Sequence, residues 1–203
     1  MNELSLVFDR PAEAWNEALP LGNGSMGAMS YGRLRKEKVE LNLDTLWSGT
    51  GRDKENKNTD VDWEFLHQKE AEAYCKENIL GDWTESYLPA GNLYIDTNVP
   101  ELKEHGSYQR QLSLRDALEQ VVYRQDGQVY QREFFTSMSE PVMALHYKAD
   151  AYSNLELHIS LDSQIRHACS AFGTNGLVLE GQARLIILVS IRSSMKGEKE
   201  HSL

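Results

Sequence analysis

A chain of 203 residues with 31 acidic and 21 basic side chains carries a net charge of -10, which argues against nucleic acid or an anionic membrane surface as partner. Its longest apolar stretch, Leu185 to Ile191, falls far short of the roughly 20 residues needed to cross a bilayer, and the two cysteines, Cys75 and Cys169, have neither disulfide-framework nor metal-ligand spacing. The start, Met1 to Asp9, lacks the basic region, apolar core and cleavage site of a secretion signal, so cytoplasmic residence is the expectation.

In chain order, short runs rich in β-branched and aromatic residues predict strands at 4–9, 25–32, 38–43, 92–97, 107–114, 119–125, 128–137, 141–148, 154–161 and 176–182. Between the first two lies the strongest local signal, Trp15 to Met29, in which Gly22, Gly24 and Gly27 with Asn23 demand a tight loop. No helix pattern and no Gly-Lys-Ser/Thr follows it, so it is not a phosphate cradle. A turn leading into a strand is its plainer use.

Further on, Leu41-Asn42-Leu43-Asp44-Thr45-Leu46-Trp47-Ser48-Gly49 puts carboxylate, amide and indole groups close together. That is the chemistry of a sugar site, where a flat ring stacks on a pyranose and polar groups bond its hydroxyls. A half-buried Trp closing a sandwich edge fits the same composition. Gly51 to Asp60 reads as a solvated loop, and apolar residues at helical spacing from Val61 to Leu80 predict one helix near 61–80. Its Glu64-Phe65-Leu66-His67 has the Glu-x-x-His spacing of a di-metal site, but it occurs once and without further carboxylates, so metal binding is not expected.

The clearest hairpin is 121–125 and 128–132 around Asp126-Gly127, a pair that accepts the positive φ angles of a tight primed turn. Leu155, Leu157 and Ile159 alternate with Glu156, His158 and Ser160, as in a strand buried on one face. These signals together predict an all-β fold, an antiparallel β-sandwich with a single helix. Glycosidic acid–base chemistry by inversion needs two carboxyl groups roughly 6.5 to 9.5 Å apart. Thirty-one acidic residues supply many chance pairs, and the six histidines are scattered, so no catalytic residue is nominated.

The segments Trp15 to Met29 and Leu41 to Gly49 closely resemble the N-terminal domain of glycoside hydrolase family 95. The similarity continues through Leu88 to Ile95, Tyr108 to Leu114, Arg132 to Ser137 and Ser160 to Ser163. One departure is Leu43, where the family pattern has Glu. The resemblance implies a sandwich of the glycosidase N-terminal super-sandwich type, belonging to an enzyme that removes terminal α-L-fucose, or sometimes L-galactose, by inversion and without a metal or other cofactor.

The resemblance places the catalytic groups in a following (α/α)6 barrel, of which these residues show no sign. The chain is thus expected to be a fragment, inactive alone, whose fucosylated oligosaccharide partner is engaged through the barrel. Trp15, Glu17, Asn23, Asn42, Asp44 and Trp47 are the candidates for lining or bracing the substrate site, bracing being favoured. A free-standing carbohydrate-binding sandwich and a ligand-free structural domain are the alternatives.

Residues 1–183 are expected to form the domain. The resemblance stops abruptly after Ala183, and the polar end from Ser194 to Ser202 is unlike the rest of this acidic chain. Residues 184–203 are therefore expected to be a non-native tail from a shifted reading frame, exposing the apolar run 185–191. The alternative is that this run forms a final strand.

Overall fold

The computed structural model describes residues 4–48, 68–79, 85–103, 106–150, 155–182 and 185–190. The chain divides into two compact units, Met1–Leu46 with Leu88–Leu203, and Trp47–Tyr87.

The strands of the larger unit are β1 (Ser5–Phe8), β2 (Leu19–Gly22), β3 (Met26–Ser30), β4 (Lys36–Leu43), β5 (Gly91–Thr97), β6 (Ser107–Ser113), β7 (Leu118–Gln125), β8 (Gln128–Thr136), β9 (Met143–Ala149), β10 (Leu157–Asp162), β11 (His167–Phe172), β12 (Gly176–Gly181) and β13 (Leu185–Ser190). They form two five-stranded sheets, ordered β1-β6-β7-β8-β9 and β10-β5-β4-β3-β2, and a three-stranded sheet β11-β12-β13. Every neighbouring pair is antiparallel.

Period-two alternation explains the layering. In β7 the inward positions Glu119, Val121, Tyr123 and Gln125 are buried while their neighbours are not. Leu19, Leu21, Ala28, Val39, Leu93 and Ile95 of the second sheet meet Leu112 and Phe134 of the first in one apolar core. Burial of such side chains is the main favourable term, at about 1.5–3 kcal/mol for each large aliphatic or aromatic group. The expected antiparallel β-sandwich is therefore the fold observed.

The Asp126-Gly127 hairpin joins β7 to β8, with φ of 51° and 78° at its two central residues and Gln125 facing Gln128. Strands β2, β11 and β13 were not among those expected from sequence. In β2, Pro20 cannot donate to a ladder, and it is tolerated because β2 is an edge strand. Strand β13 pairs with β12 over six residues, and its Ile187 and Val189 pack against the main core. This differs from the exposed apolar run expected for the tail.

In the smaller unit, an α-helix, α1 (Gln68–Tyr74), continues as a π-helical turn over Cys75–Ile79. Both lie within the expected helix near 61–80. Residues 61–67 and 80, and with them the Glu64 to His67 pattern, lie outside the described residues. Among the described residues no helix is long and apolar enough to cross a membrane.

Candidate functional site

Three of the expected residues gather at one end of the second sheet. The β2–β3 turn carries Asn23, and the end of β4 carries Asn42 and Asp44. Register brings them together: Gly22 faces Gly27, Gly27 faces Asn42, and the Asp44 N–H donates to the Ser25 carbonyl at 3.0 Å.

Asn23 is spent on this scaffold. Its Oδ1 accepts from the N–H groups of Ser25 (3.2 Å) and Met26 (2.9 Å), while its Nδ2 donates to the Ser137 carbonyl just beyond β8 at 2.8 Å. Gly24 has φ of +94°, a left-handed conformation that explains the glycine. Asn23 thus closes its own turn and ties it to the opposite sheet. Replacing Asn23 by Ala should cost about 1–2 kcal/mol, because it strands these groups. Trp15→Ala, at a side chain 60% exposed, should stay within about 0.5 kcal/mol. Chemical denaturation of the two variants reads the contrast.

Asn42 and Asp44 are exposed. Leu43 between them is half-buried and packs on the main core, so the position that carries Glu in the resembled family points here into apolar surroundings.

Trp15 and Glu17 lie at the other end of β2, near where Leu19 pairs with Ser30, in a 3-10 turn over Trp15–Glu17. The four residues of β2 separate them from the Asn23 turn by roughly 10 Å at the usual rise per strand residue. Glu17 accepts from the Glu13 N–H at 2.9 Å and from Arg10 Nη2 at 3.2 Å. The Glu13 N–H, with help from Arg10, holds its carboxyl below the ordinary value. This segment is fastened to the sandwich by Ala12 N–H to the Tyr31 carbonyl (2.7 Å) and by Arg110 Nε to the Arg10 carbonyl (2.8 Å).

Trp47 belongs to the smaller unit. Its ring meets Tyr87 edge to face, with centroids 5.1 Å apart and planes at 75°. Next to them, Ser48 Oγ donates to Glu85 Oε2 at 3.3 Å and accepts from the Ser86 N–H at 2.8 Å. The six candidates therefore fall into three places: Asn23 with Asn42 and Asp44, Trp15 with Glu17, and Trp47.

Among the described residues, sequence reasoning missed a buried assembly of ionisable groups that joins three strands. Arg132 on β8 places Nη1 2.9 Å from Glu37 Oε2 on β4, and Nη2 3.0 Å from Glu119 Oε1 on β7. The Arg132 side chain is 5% exposed and both carboxylates are 0% exposed. Glu37 Oε1 also accepts from the N–H groups of Tyr31 and Gly32, each at 3.1 Å. Ser30 Oγ on β3 lies 2.8 Å from Glu119 Oε1 and 3.3 Å from Glu37 Oε1.

The cluster spans both five-stranded sheets. Burial opposes the charge on Arg132, but Glu37 and Glu119 together keep it firmly protonated. Burial pushes the Glu119 carboxyl up. Two carboxylates sealed around one guanidinium offer no approach to a sugar, so this cluster joins the sheets rather than acting on a substrate. The available signal was a charged residue at an inward position, since Arg132 sits between Tyr130 and Phe134 on one face of β8.

Residues 6–202 match the family described as glycosyl hydrolase family 65, N-terminal domain. Among curated proteins, the chain is similar to alpha-L-fucosidase 2 of Arabidopsis thaliana, at 29% identity over 174 residues covering 81% of this chain and 20% of that protein. It is also similar to probable alpha-fucosidase A of Aspergillus niger, at 29% identity over 213 residues covering 91% of this chain and 26% of that protein. The chain thus spans about a fifth to a quarter of the length of these relatives. With nearly all of its residues matched and the sandwich in place, the chain belongs to the family of glycosyl hydrolase family 65 N-terminal domains.

Proposed function

We propose that this chain serves as the N-terminal β-sandwich of an α-L-fucosidase-like glycoside hydrolase of family 95, bracing the substrate site from one side. The inverting hydrolysis of terminal α-L-fucosides then belongs to a following (α/α)6 barrel, and the fucosylated oligosaccharide is held chiefly there. The observation that carries this reading is the use of Asn23: both polar atoms of its side chain bond the chain itself, which fixes the loop end where Asn42 and Asp44 are exposed. That is how a rigid wall is built, with polar groups on loops held by a firm scaffold. The sealed Glu37 and Glu119, by contrast, are out of reach of a glycosidic bond.

The isolated chain should leave an aryl α-L-fucoside intact, and turnover that survives purification to homogeneity would overturn this. For L-fucose, calorimetry should give a Kd no tighter than about 1 mM, because one wall lacks the enclosure that buries most of a ligand. A tight saturable isotherm would speak for a self-sufficient binding module instead.

A further inference from the structure

We propose that the sealed cluster of Glu37, Glu119 and Arg132 carries one proton, resident on Glu119, and that loss of this proton on the alkaline side loosens the hold between the two five-stranded sheets. This rests on the geometry of the cluster and not on the fucosidase reading.

The first argument is a count of charge. One guanidinium faces two carboxylates, so full ionisation would leave a net negative charge in a dry core, which is costly. The second is a count of donors. Glu37 Oε1 takes the Tyr31 and Gly32 N–H groups, while its Oε2 has an ion-pair contact with Arg132 Nη1 at 2.9 Å but no hydrogen bond. Glu119 has only Arg132 Nη2 and the Ser30 hydroxyl at its Oε1, while its Oε2 is enclosed without a hydrogen-bond partner. Ser30 has one hydroxyl hydrogen and two carboxylate oxygens within reach, so it serves one at a time, and the shorter contact is to Glu119. Arg132 Nε is buried without a partner and reaches neither carboxylate, so Glu119 is served by fewer donors than Glu37 and the proton belongs on Glu119 Oε2.

The surrounding groups do not supply the missing charge. From β9, the Tyr147 ring lies 5.9 Å from the Arg132 guanidinium, and burial pushes its hydroxyl up to about 12. From β6, Tyr108 donates to the Gly32 carbonyl at 2.6 Å, and burial raises its hydroxyl far beyond neutrality. Arg110, also on β6, is turned toward the Arg10 carbonyl and lies 4.2 Å over the Phe8 ring. Burial of Glu119 acts in the same direction as the geometry.

The sign of the linkage follows. A carboxyl whose folded value is raised lets the folded state bind its proton more tightly than the unfolded chain does. Its contribution to stability is complete below the unfolded value, about 4.3 for Glu, and is lost as pH rises through the folded one.

Thermal unfolding of the full chain between mildly acidic and alkaline pH tests this in wild type, Glu119→Gln and Glu37→Gln. Glutamine mimics the protonated acid. Glu119→Gln should match wild type at acidic pH, melt at or above it at alkaline pH, and flatten the alkaline decline. Glu37→Gln should melt well below both throughout. An equal loss in the two variants, or an unchanged alkaline decline in Glu119→Gln, would overturn the proposal. If Glu37→Gln fails to fold, infrared difference spectra decide: wild type at neutral pH should show a protonated carboxylic C=O band that Glu119→Gln lacks. No such difference would place the proton elsewhere and sink the idea.

Discussion

Arg132→Met should cost the sandwich about 3–5 kcal/mol, because it leaves the buried Glu37 carboxylate without its counter-charge. In a chain of this size that is a fall in melting temperature on the order of 10 °C. The loss comes from an unpaired charge and not from missing volume, since Met fills much of the space of Arg. The guanidinium holds Glu37 from β4 and Glu119 from β7, so without it the two sheets lose their buried ionic tie. Combining the change with Glu37→Gln and Glu119→Leu should recover part of the loss. Gln still offers an acceptor to the Tyr31 and Gly32 N–H groups, and Leu removes a buried carboxyl that would otherwise lose its partner. An Arg132→Met variant that melts with wild type would show that the three groups are not sealed together.

This cluster also shows where sequence reading stopped. Glu37, Glu119 and Arg132 lie on three different strands, and each by itself is one charge at an inward position with no partner in its own strand. Only the pairing of sheets, which depends on register and facing, makes them one unit. The hairpin at Asp126-Gly127 was legible because turn chemistry is local: two residues with positive φ fix the register of everything from Leu118 to Phe135. Strand β11 was not legible, since almost all of His167–Phe172 is exposed and no apolar alternation marks it. Pro20 and Gly22 hid β2 in the same way, by interrupting a pattern that an edge strand does not need to keep.

The candidate site was legible in part. Asn23, Asn42 and Asp44 were picked out as two separate short segments, and hairpin pairing of β3 with β4 brings them to one end of a sheet. Trp15 with Glu17 shared the first segment with Asn23, yet the length of β2 carries them to its far end. Proximity in sequence was a poor guide here because a strand moves the chain about 3.3 Å per residue. Trp47 follows Asp44 closely in sequence but belongs to the other compact unit, where Tyr87 is its partner.

Ile187→Asp should destabilise the sandwich by about 3 kcal/mol or more, since the side chain packs against the main core and a carboxylate there must either be buried without a partner or pull β13 away. Strand β13 covers one side of β12, where Leu177 faces Val189 and Leu179 faces Ile187. Leu179 is fully buried in the core cluster. Deleting residues 184–203 should therefore also lower the melting temperature, because it turns β12 into an edge strand with an apolar face newly open to water. A tail arising from a shifted reading frame would have the opposite consequence. In that case no core position depends on Ile187, the apolar run is a template for aggregation, and both changes should leave the melting temperature unchanged while raising soluble yield. Melting curves and soluble yield of the substitution and the deletion, side by side with wild type, separate the two origins of the same strand.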